Sequence, residues 1–237
     1  MPDAREKIIV ALDVESRQKA LDLVERLQGK VGCFKIGIRL FTAEGPGLVG
    51  DILARGQQVF LDLKFFDIPN VVAAAVVEAA RLGVSMLTVH ALGGQSMMAL
   101  CREKIEQASQ REGWPVPILV GVTVLTSWDE SALRGSGIDR GLDEMVLFLA
   151  RGIDSAGLPA MVASAREVAL LRDSGFRQKL ITPGIRPAWS SSDDQKRTLT
   201  PAEAIRQGSD YLVIGRPITG AADPAAAVDR ILEEIAS

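Results

Sequence analysis

The sequence predicts an α/β fold, a single (β/α)8 or TIM barrel that takes in residues 1–237 as one domain. Eight short apolar runs have the length and the Val and Ile content of buried strands. They recur mostly about 25 to 40 residues apart, which is too long for hairpins and suits strand–helix units. The 237 residues match the size of one such barrel, and no linker or change of composition divides them.

Each predicted strand is a continuous apolar run rather than an alternating one, as expected when both faces of a strand are buried. That pattern favours a closed parallel barrel over an open sheet. The predicted strands are residues 7–13, 33–38, 58–64, 85–91, 117–124, 159–165, 179–185 and 210–216.

Helices are predicted between the strands from their start and stop signals. Ser16 can cap a helix that runs to about Gln28. Pro69 suits the first turn of a helix that ends near Gly83. Residues 200–203 have the Thr-x-x-Glu pattern of a capping box, and the Ala-rich, amphipathic residues 218–236 predict one last helix.

The composition excludes several classes of protein. A net charge of -3 gives no general attraction to nucleic acid. Cys33 and Cys101 form no C-x-x-C pair and are typical of reduced cysteines. The charged N-terminus does not resemble a signal peptide, and no apolar run reaches the roughly 18 residues of a membrane span. His90 is the only histidine, which excludes a histidine-rich metal site. We therefore expect a cytoplasmic protein without nucleic-acid or membrane partners.

Polar side chains collect where the predicted strands end, which is where barrels of this kind carry their chemistry. In chain order they are Asp13, Lys35, Asp62, Lys64, Asp67, His90, Thr126, Ser127, the segment 183–187, Gly215 and Arg216.

Asp62 and Lys64 are the most informative members of this group. Residues two apart in a strand project to the same side, so a carboxylate and an ammonium share the end of a buried strand. Buried charge is costly unless it is paired or used. With Lys35 from the preceding strand, these charges can form an alternating array that acts on a substrate without a cofactor.

The last two strands predict an anion site. Their Pro-Gly and Gly-Arg loops expose backbone N–H groups, and Arg216 adds a guanidinium that can bind a phosphate through two hydrogen bonds. The polar segment 186–200 is long enough to form a lid, from which Arg186 and Gln195 can reach a phosphate or a ring.

Each of these residues also has a purely structural interpretation. Taken alone, Asp13 is best interpreted as a helix cap, and Lys35 and Asp62 can form a structural ion pair. Asp67 can favour the start of the next helix. The others are a hydrogen-bonded His90, turn residues Thr126 and Ser127, and a surface Arg216. A structural core rarely needs four charged residues in one pocket, so together they favour an active site.

Over nearly its whole length the chain resembles the bacterial type of orotidine 5'-phosphate decarboxylase. The resemblance rests on Asp62-x-Lys64-x-x-Asp67-Ile-Pro-Asn70, on Lys35 and Asp13, and on the segments 183–187 and 215–217. It implies a homodimer of barrels that converts orotidine 5'-monophosphate to uridine 5'-monophosphate in pyrimidine biosynthesis, with neither a metal nor an organic cofactor.

The resemblance also implies residue roles. Lys64 protonates the ring carbon that loses CO2, and Asp62 lies against the departing carboxylate. Lys35 and Asp67 complete the array, with Asp67 supplied by the partner subunit. The implied substrate contacts are Asp13 and Lys35 to the ribose, Thr126 to the pyrimidine, Arg186 and Gln195 from the closing loop, and Gly215 and Arg216 to the phosphate.

Two positions depart from the pattern of that family. Val71 follows Asn70 where the family has a threonine, so no hydroxyl contact to the ribose is carried over. Phe66 stands where a histidine is common, so no histidine role is carried over either.

Two other functions remain open. A sugar-phosphate lyase or epimerase on the same barrel typically uses a divalent metal with an acidic ligand on the second strand, where this chain has Lys35. A non-catalytic nucleotide-binding protein explains Arg216 and the glycine loops, but it gives the cluster of Lys35, Asp62 and Lys64 no purpose.

Overall fold

The computed structural model describes residues 3–190 and 199–236, in which eight parallel strands close into a barrel in chain order. All eight predicted strands form, and pairing of the last strand with the first closes the barrel. The strands are β1 Ile8–Ala11, β2 Cys33–Gly37, β3 Val59–Phe65, β4 Met86–His90, β5 Ile118–Val122, β6 Ala160–Val162, β7 Lys179–Thr182 and β8 Tyr211–Ile214. The predicted (β/α)8 barrel is confirmed.

Helices follow the strands and cover the outside of the barrel. They are α1 Arg17–Leu27, α2 Ile38–Glu44, α3 Pro46–Ala54, α4 Pro69–Arg81, α5 Gly94–Glu112, α6 Glu130–Gly135, α7 Leu142–Ser155, α8 Val168–Asp173, α9 Pro201–Gln207, α10 Arg216–Thr219 and α11 Pro224–Ala236. Among the described residues, no helix is long and apolar enough to cross a bilayer.

The predicted caps are present. The Ser16 hydroxyl accepts the N–H of Lys19 at 3.4 Å and begins α1. Thr200 and Glu203 form the reciprocal capping box of α9, with the Thr200 N–H donating to the Glu203 carboxylate at 2.9 Å. Because Ser16 caps α1, the interpretation of Asp13 as a helix cap is wrong.

The helix predicted over roughly residues 218–236 forms, but it begins later than predicted, because a short separate helix precedes it. α10 ends at Thr219, and α11 begins at Pro224. A proline inside a helix would remove a backbone hydrogen bond, whereas in the first turn its fixed φ is favourable. The Asp223 carboxylate accepts the N–H groups of Ala225 and Ala226 and so starts the second helix.

Two apolar layers build the core. The larger lies between strands and helices, and the smaller fills the barrel interior with nine buried side chains that include Ala11, Cys33, Phe60 and Met86. Side chains two positions further along these strands point the same way, one layer nearer the C-terminal end. Along the first four strands that next layer is polar, with Asp13, Lys35, Asp62 and Thr88.

Candidate active site

A cavity of about 400 Å³ lies at the C-terminal ends of the strands. Eight of the ten predicted site residues line it, although the prediction drew them from separate parts of the chain. They are Asp13, Lys35, Asp62, Lys64, Thr126, Arg186, Gly215 and Arg216. Ser127, Pro183, Gly184 and apolar side chains complete its wall.

Four charged side chains form an alternating array on one side of the cavity. Lys35 Nζ lies 3.4 Å from Asp13 Oδ1 and 3.6 Å from Asp62 Oδ2. Lys64 Nζ donates to the other oxygen of Asp62 at 2.8 Å. Asp62 therefore bridges two ammonium groups, as the predicted array requires.

The array is most buried at its centre. The side chains of Lys35 and Asp62 are only 11% and 12% exposed, while Lys64 and Asp13 at the two ends are 37% and 64% exposed. Burial raises the pKa of Asp62, but the charges of Lys35 and Lys64 together with two hydrogen bonds outweigh it, so its pKa lies below the usual value. Asp62 is therefore an ionised carboxylate at neutral pH.

Lys64 is held in an unusual backbone conformation. Its φ of 51° lies in the left-handed region, and it is the one described residue other than glycine with a positive φ. Such a conformation costs about 1–3 kcal/mol and persists only where the surroundings enforce it. It occurs where the pairing of β3 with β4 shifts register between Leu61 and Phe65.

Thr88 is a residue of this site that the sequence interpretation missed. It is completely buried in β4, and its hydroxyl contacts both Asp62 and the backbone of Lys64. The sequence did contain a signal for this role, because Thr88 is a hydroxyl residue within an apolar run, two residues before His90.

His90 is a buried, hydrogen-bonded residue, in agreement with its structural interpretation. Its Nδ1 accepts the N–H of Leu92 at 3.3 Å, and its ring lies 6.1 Å from that of Phe66. Burial and then the charge of Lys64 lower the pKa of His90, which favours the neutral imidazole.

Asp67 is the one predicted site residue among the described residues that does not line the cavity. Asp67 is exposed, and its Oδ1 accepts the N–H of Ile68 at 2.6 Å, just before α4. Gln195 lies outside the described residues, as does most of the predicted lid.

Exposed apolar side chains surround Asp67 in the sequence. Phe66 and Ile68 are 61% and 66% exposed and Val71 is 49% exposed; Ile38, the first residue of α2 after the neighbouring strand β2, is 66% exposed. We call these four residues the apolar rim. Apolar groups of this kind at one edge of a site are typical of an interaction surface.

The two arginines of the predicted anion site line the opposite side of the cavity. Arg186 and Arg216 follow β7 and β8, across the barrel from β3 and β4. The Arg186 N–H donates to Leu199 O at 2.9 Å, a backbone contact that joins Arg186 to the segment before α9. The Gly184 φ of 81° allows the turn that precedes this contact.

In the described part of the chain, no group of three or more His, Cys, Asp or Glu side chains is placed to hold a metal ion. The charged groups that line the cavity are of two kinds, the alternating array on one side and guanidinium groups on the other. Such a site can bind an anionic ligand and present a fixed field to it.

Known proteins resemble this chain over nearly its full length. A family described as "Orotidine 5'-phosphate decarboxylase / HUMPS family" matches residues 6–231. A protein of Syntrophotalea carbinolica named orotidine 5'-phosphate decarboxylase is 52% identical, over 99% of this chain and 97% of its own. One of the same name from Moorella thermoacetica is 48% identical, over 98% and 93%.

Solved structures are also similar to this chain over nearly its full length. The crystal structure of orotidine 5'-phosphate decarboxylase from Lactobacillus acidophilus has a TM-score of 0.84 and 35% identity, covering 97% of this chain and 99% of that one. An uncharacterized conserved protein from Geobacillus kaustophilus has a TM-score of 0.83 and 36% identity, covering 96% and 99%.

Proposed function

The chain belongs to the orotidine 5'-phosphate decarboxylase family, and from this membership we propose that it converts orotidine 5'-monophosphate to uridine 5'-monophosphate and CO2 in pyrimidine biosynthesis. The observation that carries the proposal is the array itself, in which Asp62 lies 2.8 Å from Lys64 Nζ and 3.6 Å from Lys35 Nζ. A cytoplasmic location accords with two free, buried cysteines.

The chemical step needs no cofactor in this proposal. The bond between C6 of the pyrimidine and its carboxylate breaks, CO2 leaves, and the electron pair stays on C6. The Lys64 ammonium stabilises that carbanion and donates a proton to C6. The hydrogen bond from Lys64 Nζ to Asp62 keeps the ammonium group directed into the cavity until the substrate binds.

Asp62 acts on the substrate carboxylate. With its pKa held below the usual value, it stays charged beside the carboxylate that leaves. Repulsion between the two is relieved when neutral CO2 departs. Lys35 keeps Asp62 ionised and, with Asp13, contacts the ribose hydroxyls.

The substrate phosphate binds on the opposite side of the cavity. Arg216 and the backbone of Gly215 hold the phosphate, and Arg186 and Gln195 close over it, while Thr126 contacts the pyrimidine. The phosphate is far from the bond that breaks, so its binding energy can serve loop closure and be expressed in the transition state.

The protein acts as a homodimer with shared sites in this proposal. Asp67 does not line the cavity of its own chain, and it stands within the apolar rim. Burial of that rim against a second copy would remove its exposed apolar surface from water and carry Asp67 toward the site of the partner subunit.

The proposal is tested by incubating the protein with orotidine 5'-monophosphate and following the absorbance of the ring. We expect wild-type turnover to survive exhaustive chelation, and Lys64→Ala to lower kcat by at least about 10³-fold while the barrel still folds. Near-normal turnover by Lys64→Ala would contradict the proposal. Activity only on sugar phosphates, lost on chelation, would favour the metal-dependent lyase or epimerase.

A further inference from the structure

The pairing of β3 with β4 contains a bulge at the catalytic residues. Leu61 pairs with Leu87 and Phe65 pairs with Val89, so β3 advances four residues while β4 advances two. Asp62, Leu63 and Lys64 therefore lie opposite a single residue of β4, Thr88. In a bulge the regular ladder is interrupted, and extra residues are left without their backbone partners.

The Thr88 hydroxyl takes the place of the missing backbone partner. The backbone N–H of Lys64 donates to Thr88 Oγ1 at 2.8 Å, and Thr88 Oγ1 lies 3.1 Å from Asp62 Oδ1. A hydroxyl has one proton, and an ionised carboxylate can only accept. The hydroxyl therefore accepts from Lys64 and donates to Asp62.

This arrangement fixes two groups with one atom. The backbone of Lys64 is held in the left-handed conformation by an acceptor that lies in the fully buried interior. The Asp62 carboxylate is tied to the same oxygen, and Asp62 Oδ1 is also the atom that accepts from Lys64 Nζ. Without the hydroxyl, the Lys64 amide would be left without this partner, and its backbone would be free to relax toward an ordinary φ.

We propose that Thr88 is a positioning residue, whose hydroxyl sets the distance and direction of Lys64 and Asp62 toward the substrate. Thr88 is not one of the residues that line the cavity, so it acts through those two groups. The inference rests on the proposed function, because it assigns Thr88 to the decarboxylation that Lys64 and Asp62 carry out.

The first test is the isosteric substitution Thr88→Val, which removes the hydroxyl. We expect kcat to fall by about 10- to 100-fold, as for the loss of a hydrogen bond to a charged group, with KM changed by less than about threefold because the phosphate site is untouched. Thr88→Ser, which keeps the hydroxyl, should restore kcat to within about threefold of the wild type.

Thr182→Val is the matched control. Thr182 is also a fully buried barrel threonine, but its hydroxyl bonds to Ser209 at 2.8 Å and does not contact the array. This variant should lose thermal stability and keep its kcat.

The pH profile separates positioning from a merely structural role. Asp62 is paired with Lys35 from β2 and Lys64 on its own strand, with Asp13 beyond Lys35 and His90, at the end of β4, near the charge of Lys64. Loss of the Thr88 donor should raise the pKa of Asp62 and move the acidic limb of kcat/KM to higher pH. The limb should not move in Thr88→Ser or Thr182→Val.

Several outcomes overturn the proposal. One is a folded Thr88→Val protein with wild-type kcat and pH profile. Another is an equal loss of kcat in Thr88→Val and Thr182→Val. If Thr88→Val does not fold, a tenfold lower kcat in folded Thr88→Ser would by itself contradict the role of the hydroxyl. Absence of any wild-type turnover of orotidine 5'-monophosphate would instead refute the proposed function.

Discussion

Replacement of Lys35 by methionine tests how the array is held together. Lys35→Met keeps an unbranched side chain and removes the charge that lies 3.6 Å from Asp62. At an effective dielectric constant of about 20, that pair attracts by about 5 kcal/mol. The loss of this attraction is offset in part, because the variant no longer buries an ammonium and Lys64 still pairs with Asp62. Removal of one partner of a buried pair costs about 3–5 kcal/mol. For Lys35→Met we therefore expect the free energy of unfolding to fall by about 3 kcal/mol at pH 7.

The loss of stability should depend on pH with a defined sign. The folded-state pKa of Asp62 in the wild type lies below its usual value, so its ionised form contributes stability above about pH 4 that disappears as the pH falls through the folded-state pKa. In Lys35→Met, burial is opposed by one charge fewer, and the pKa of Asp62 rises relative to the wild type. Because a protonated Asp62 no longer needs a cation, the difference in stability should shrink as the pH falls.

Urea unfolding at pH 7 and at pH 4 measures both effects. Lys30→Met is the matched control, because Lys30 makes a shorter ion pair with Asp229, at 2.8 Å, whose side chains are 37% and 52% exposed. An exposed pair contributes less than about 1 kcal/mol. A loss in Lys35→Met no larger than that of the control, or one that is the same at both pH values, would refute the reasoning.

Two further predictions concern the substrate site. Arg216→Ala should raise KM by about 10- to 100-fold through loss of charge-assisted hydrogen bonds to phosphate; removal of the phosphate from the substrate should then cost the variant much less than the wild type, and an equal loss in both would contradict a phosphate role. Mixing Asp67→Ala and Lys64→Ala chains should restore part of the activity if each site takes Asp67 from the partner subunit, whereas no recovery in mixed dimers would indicate sites built within one chain.

The barrel was predictable because its signals are local. Eight apolar runs and their spacing identified every strand, and the hydroxyl of Ser16 identified the start of α1. The charged residues of the cavity were predictable for a related reason. A charged residue such as Asp62 is unusual in a buried apolar strand, and the parallel strands of a barrel all have their C-terminal ends on one side.

The role of Thr88 could not be predicted in this way. Alternation along β3 places Asp62 and Lys64 on one side, but it does not reveal the two extra residues that set them opposite Thr88. Register between strands depends on tertiary contacts that no single strand encodes. The place of Asp67 in a partner's site remains a prediction from the family resemblance, because within one chain Asp67 is an exposed carboxylate outside the cavity.

The charges of the cavity also give a reason why, in the proposed reaction, phosphate binding and chemistry are assigned to opposite sides of it. Asp13, Lys35, Asp62 and Lys64 together carry no net charge, so the array alone offers little general attraction to an anion. In the proposed reaction the substrate brings a carboxylate and a phosphate, and the carboxylate meets Asp62. The favourable free energy of binding must then come from the guanidinium side, near Arg216. An array of alternating charge can hold one substrate group in an unfavourable position only when another group is bound well elsewhere.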